Sequence, residues 1–90
     1  MIVENVTVIN ALGLHARPAA EFIKCAKRFK SKISIRRLDR DIAVDAKSIV
    51  SILTQAIGMG TEIEIIAEGE DEKLAAETLV ALIQSTFDEE

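Results

Sequence analysis

The sequence predicts an α+β domain of order βαββαβα, an open-faced sandwich in which one four-stranded antiparallel sheet carries three helices on a single face. Two observations lead there. Short segments of alternating or β-branched apolar residues are separated by longer segments whose apolar residues recur at helical spacing. Each strand offers one apolar face and each helix one apolar stripe, so the economical packing lays all helices on one side of one sheet. A first strand, a crossover helix and a second strand would run parallel, leaving room between them for the fourth strand. Pattern alone leaves the strand order open.

The elements follow in order. Residues 2–9, IVENVTVI, are rich in β-branched residues and read as a strand. The stretch NALGLHA interrupts it. From Arg17 to about Phe29, the positions Ala19, Phe22, Ile23, Ala26 and Phe29 mark a helix, with Pro18 in the first turn, where a missing N–H costs nothing. KISIRR alternates as a second strand with Ile33 and Ile35 inward, and LDRD turns into a short third strand, IAVD. Lys47 to Ile57 returns to helical composition and stops at GMG, with Gly58 as the expected C-cap. TEIEIIAE is a fourth strand with Ile63, Ile65 and Ala67 on one face. From Glu70 onward, Leu74, Ala75, Thr78, Leu79, Leu82 and Ile83 describe an amphipathic helix, and Glu70, Asp71 and Glu72 give it an acidic first turn that suits its dipole.

Ninety residues make one domain, spanning 1–90, with no linker, repeat or low-complexity segment. Without tryptophan or tyrosine the core must be aliphatic, with Phe22, Phe29 and Phe87 as its only large rings. No apolar stretch is long enough to span a membrane, the first residues lack the features of a signal peptide, and one cysteine forms no internal disulfide. A cytoplasmic monomer is the expectation. Charge is uneven: residues 1–60 carry a net of +5 and residues 61–90 a net of −9. Nucleic-acid binding wants basic residues interleaved with aromatics, and those aromatics are missing. A basic face for docking acidic proteins and a pair of solvated surfaces of opposite sign both fit the asymmetry.

The only histidine, His15, stands in GLHARPAA beside Arg17 and the only proline. If a helix begins just after it, the N–H groups of Ala16 and Arg17 lack intrahelical acceptors and form an anion-binding helix start. Arg17 adds a guanidinium suited to phosphate oxygens, and Gly13 frees the loop to present the ring. A neutral imidazole nitrogen is a competent nucleophile toward phosphorus, so these parts fit a covalent phosphohistidine. A lone histidine at a helix start is most often a surface residue or a cap. Other chemistries fit less well. Ten helical residues put Cys25 roughly 15 Å from His15, too far for a dyad. No metal-ligand cluster or glycine-rich nucleotide loop is present, and no cofactor is expected.

NALGLHARPAA, followed by DAKSIVSIL and GMGTEIEIIAEGEDE, closely resembles HPr, the histidine-containing phosphocarrier family of the bacterial phosphoenolpyruvate-dependent phosphotransferase system. The resemblance covers nearly the whole chain. It implies that His15 accepts a phosphoryl group on Nδ1 from phosphorylated Enzyme I and donates it to a histidine of an Enzyme II A domain. Arg17 would neutralise the phosphate. The protein would be a stoichiometric carrier rather than a turnover enzyme. Ser48 matches a position that a dedicated HPr kinase/phosphorylase modifies in some members, although a serine at a helix start is equally explained by capping.

The second helix, with Ile49, Val50, Ile52, Leu53, Ala56 and Ile57, has an apolar arc wider than one buried stripe needs. By resemblance, Ile49 and Leu53 with Ala20 form a partner-docking patch rimmed by Lys24 and Lys27. An over-hydrophobic core helix is the plainer alternative. The tail STFDEE resembles the nitrogen-related NPr branch, a regulatory phosphorelay, whereas DAKSIV resembles the sugar-uptake members.

Overall fold

A computed structural model describes residues 1–89. The elements are β1 (Ile2–Thr7), α1 (Ala16–Ala26), β2 (Lys32–Arg37), β3 (Val44–Asp45), α2 (Ile49–Leu53), β4 (Glu62–Glu68) and α3 (Glu72–Gln84), and a 3-10 turn follows at Thr86–Asp88. The sheet order is β1-β4-β2-β3, and every neighbouring pair is antiparallel. β4 lies between β1 and β2, which therefore run parallel to each other and are joined across the sheet by α1.

Register follows from burial on one face. Ile33 pairs with Ala67 and Ile35 with Ile65, and all four are buried under the helices. One residue along, Arg36 pairs with Glu64 on the outward face, where their side chains meet at 2.6 Å. A slip of one position would exchange these two rows and bury the charges, so the alternation pins the pairing. Above the sheet, α1 contributes Pro18, Ala19, Phe22, Ile23 and Ala26, and α3 contributes Ala75, Ala76, Leu79 and Ile83. Phe22, Phe29 and Phe87 are all buried, giving the expected aliphatic core with three rings.

Several elements are shorter than their patterns. β1 stops at Thr7 rather than residue 9, although Val8 still exchanges backbone hydrogen bonds with Thr61 and Gly60. α1 ends at Ala26, and Arg28 and Phe29 continue only as tighter turns onto Cys25 and Ala26. β3 keeps two of its four expected residues, because Ile42 turns out to solvent. α2 is five residues long instead of eleven, and Gly58 is not its C-cap. The left-handed conformation falls on Ala56 (φ 52°), held by Arg37, whose Nη1 donates to the carbonyls of Gln55 and Ala56 at 2.8 and 2.9 Å. In α3, Leu74 is exposed rather than packed.

Of the three expected acidic residues, only Glu72 lies within the first turn of α3. Asp71, its N-cap, instead turns to the α1–β2 connection. It accepts from the N–H of Lys30 at 2.9 Å, from the N–H of Ser31 at 3.0 Å and from the Ser31 hydroxyl. The hydroxyl, then the Lys30 N–H, holds this carboxyl below the usual carboxylate range despite the cost of its desolvation. This clamp joins the start of α3 to the start of β2.

Phe22 is fully buried beneath α1. Phe22→Ala is expected to lower unfolding free energy by about 3–5 kcal/mol, read as a lower urea midpoint with an unchanged slope.

Candidate functional site

The site is built on the loop between β1 and α1. Asn10 through Gly13 form a turn in which Gly13 N–H donates to Asn10 O at 3.0 Å and Asn10 Nδ2 donates to Gly13 O at 2.8 Å. Gly13 has φ +63°, and a Cβ there would lie 2.2 Å from Ile57 O and 2.5 Å from the Cα of Gly58. The loop is thus pressed directly on the backbone that follows α2. Leu14, its side chain buried, donates its N–H to Ile57 O at 2.8 Å. His15 comes next with little freedom left in its backbone.

His15 is the N-cap of α1, with φ −77° and ψ −173°, but its side chain makes no capping hydrogen bond. The first intrahelical bond runs from Ala19 N–H to His15 O at 2.9 Å. Pro18 has no N–H, so the open donors of this helix start are those of Ala16 and Arg17, next to the imidazole. The ring itself is partly exposed.

On its other side the ring meets the end of the described chain. His15 Nε2 lies 2.9 Å from Glu89 Oε2 and 3.2 Å from Oε1, while Nδ1 makes no hydrogen bond among the described residues. Arg17 donates to the same Oε2 from Nε at 3.2 Å and to Phe87 O from Nη2 at 3.0 Å, and its Nη2 stands 2.9 Å from Oε2 as an ion pair. Its Nη1 reaches Glu21 at 3.2 Å. Asn10 Nδ2 donates to Glu89 Oε1 at 2.9 Å. Desolvation is the largest single influence on the Glu89 carboxyl and opposes its ionisation. The bonds from Asn10, Arg17 and His15 together outweigh it and hold the carboxyl below its ordinary range.

Ser48 is the N-cap of α2, and its Oγ accepts from Ser51 N–H at 3.2 Å. Lys47 points away, donating from Nζ to Phe29 O and Ser31 O at 2.8 and 2.9 Å. The apolar arc of α2 splits: Ile52 and Ile57 are buried, whereas Ile49, Val50 and Leu53 are 39%, 68% and 42% exposed. α1 packs against α2, and a shallow recess between them is lined by Ala20, Ile23, Lys24, Lys27 and Ile49. The expected docking residues Ala20, Lys24, Lys27 and Ile49 therefore adjoin one another, with Leu53 one helical turn beyond Ile49. Cys25 is half-buried against the core, and desolvation raises its thiol despite nearby Arg28. No group of metal-binding side chains occurs among the described residues.

Sequence reading missed Glu89 and Asn10. Asn10 carried a signal, an Asn three residues before a glycine, which is a side-chain-stabilised turn. Glu89 carried none, since 74 residues separate it from His15.

This fold and site define a small protein able to hold a phosphoryl group on a histidine. Residues 2–85 match the family described as "PTS HPr component phosphorylation site". The chain is 44% identical to the phosphocarrier protein HPr of Treponema pallidum, with all of both chains covered. It superposes on a crystal structure of HPr-C-His from Thermoanaerobacter tengcongensis with a TM-score of 0.93 at 40% identity, covering 100% of this chain and 99% of that one. A second structure, described as an HPr dimer from the same organism, gives a TM-score of 0.77 at 43% identity and covers 86% of each chain. The chain belongs to the HPr family of phosphocarrier proteins.

A carboxyl whose folded pKa lies below its unfolded one stabilises the folded contact above the unfolded value, about 4.3 for glutamate. That contribution is lost as pH falls through the folded value. The docked Glu89 is therefore expected to persist at neutral pH and to release only below the ordinary glutamate value of about 4.3. An NMR titration of the Asn10 side-chain amide should report the release as a shift below that value, and a transition above it would contradict the docking.

Proposed function

We propose that this chain accepts a phosphoryl group on His15 Nδ1 from phosphorylated Enzyme I and passes it to a histidine of an Enzyme II A domain. The observation that carries the reading is the combination at the start of α1. His15 makes no capping hydrogen bond and none is made by its Nδ1 among the described residues, at a helix start whose Ala16 and Arg17 N–H groups are open and whose Arg17 side chain shares Glu89 with the ring. The lone pair of Nδ1 attacks phosphorus as the P–N bond to the donor histidine breaks. Ala16 N–H, Arg17 N–H and the Arg17 side chain receive the charge of the phosphoryl oxygens. Family membership supports the same chemistry. The protein acts as a stoichiometric carrier and takes its phosphoryl group from a protein rather than from a nucleotide.

Docking uses the recess between α1 and α2. Its apolar floor of Ala20, Ile23 and Ile49 and its basic rim of Lys24 and Lys27 suit an acidic protein surface with an apolar centre. Both the recess and the partly exposed His15 are formed by one chain, which supports a carrier that works as a monomer, in the cytoplasm where its partners would meet it. No helix among the described residues is long and apolar enough to cross a membrane. The regulatory, nitrogen-related alternative shares the whole of the His15 site and differs in the destination of the phosphoryl group.

Incubation with phosphoenolpyruvate and Enzyme I should add one acid-labile phosphate to the native chain and none to His15→Ala. Equal gain by both would sink the proposal. Onward transfer to a sugar-specific Enzyme II A domain selects the sugar branch, and its absence selects the regulatory one.

Ser48 stands on the edge of the same surface as a candidate regulatory phosphorylation site for a kinase. Aspartate caps a helix as well as serine does, so Ser48→Asp should keep α2 while placing negative charge beside the apolar patch. Affinity for Enzyme I is expected to fall by about tenfold, equivalent to about 1.4 kcal/mol, in a titration at physiological salt. Unchanged affinity would remove Ser48 from the docking surface.

A further inference from the structure

We propose that Glu89 is a positioning residue for phosphoryl acceptance: its carboxylate takes the proton-bearing Nε2 of His15 and so leaves Nδ1 as the nitrogen with the available lone pair. The inference rests on the phosphocarrier reading and specifies how the acceptor ring is prepared.

A neutral imidazole has one donor and one acceptor nitrogen, and a carboxylate only accepts. An ionised Glu89 placed 2.9 Å from Nε2 can hydrogen-bond only the tautomer with its proton on that nitrogen. The carboxylate is not free to drift. Asn10 Nδ2 holds one oxygen and Arg17 holds the other, and the same Asn10 amide also binds Gly13 O. One side chain therefore sets both the turn that presents the ring and the group that orients it.

The backbone that brings Glu89 back is an expensive one. Thr86, Phe87 and Asp88 have φ of 58°, 55° and 59°, three successive left-handed residues, none a glycine. In each, Cβ crowds the following carbonyl oxygen. Burial of Phe87 and its carbonyl bond from Arg17 oppose that cost. A left-handed return that ends with a carboxylate on the ring of His15 points to use.

The chemistry balances. As the Nδ1–P bond forms and the donor P–N bond breaks, no proton is lost from the acceptor ring, because Nε2 keeps its own. The ring takes on positive charge, and the carboxylate faces that charge across the Nε2–H. The arrangement is that of an aspartate behind a catalytic histidine, holding the tautomer without itself becoming protonated. Arg17 keeps an arm for the phosphoryl group: its Nη1 contact with Glu21 is exposed and easily exchanged.

The test compares native protein with Glu89→Ala and Glu89→Gln, using ring 15N spectra of the single histidine and the initial rate of phosphorylation by phosphoenolpyruvate and Enzyme I. In native protein Nε2 should give the signal of a protonated nitrogen and Nδ1 that of an unprotonated one. Glu89→Ala should mix the two tautomers and slow phosphorylation roughly 10-fold. Glu89→Gln, whose amide oxygen still accepts from Nε2–H, should recover most of the native ring signals and rate. A Glu89→Ala variant with native ring signals and native rate would overturn the role. So would a faster rate, which would make the carboxylate a competitor for Arg17. Failure of the native protein to take up phosphate would instead overturn the carrier reading, whatever the ring signals.

Discussion

The closeness of two backbones underlies the rest of the site. At Gly13 the loop before α1 lies so near Ile57 and Gly58 that no side-chain carbon fits between them. Leu14 then donates to Ile57 O and buries its side chain, leaving His15 at a fixed point above the sheet. Under the proposed function this matters because one ring would meet two different partner sites in the same orientation. The rigidity is borrowed from across the molecule. Residues 55 and 56 are held by Arg37 of β2, whose guanidinium is itself braced by Asp39 at 2.9 Å. The active loop thus leans on a segment that leans on the sheet.

The same dependence explains why α2 is so short. Its apolar residues read as a longer helix because periodicity sees only spacing, and Ile52 and Ile57 do face the core. What ends the helix at Leu53 is tertiary. Arg37 captures the carbonyls of Gln55 and Ala56, and the chain must turn to meet Gly13, with Ala56 accepting the left-handed conformation. On the other face of the same short helix, Ile49, Val50 and Leu53 are left toward solvent.

Legibility therefore divides along the range of the interactions. β2, β4 and the buried stripe of α1 were readable because alternation and helical spacing are properties of neighbouring residues. The start of α1 was readable for the same reason: Gly13, His15, Arg17 and Pro18 lie within six positions. Asp71 looked like a dipole-balancing residue because sequence cannot show that the N–H groups of Lys30 and Ser31 need an acceptor. Glu89 looked like one of several acidic tail residues. Its placement depends on Phe87 finding the core and on three residues taking an unfavourable backbone conformation, and no local pattern encodes either.

The two ends of the described chain are placed very differently with respect to His15. The Met1 ammonium is tied to Glu72 at 3.0 Å, where β1 begins and α3 starts, a strand's length from the reactive loop. Glu89 lies against the reactive ring itself. A fluorophore attached at Glu89 itself would stand beside the histidine proposed as the phosphoryl acceptor, in the way of any approach to it. A label joined ahead of Met1 would leave that approach clear, so the choice of which end to fuse is itself a choice about whether the carrier can be reached.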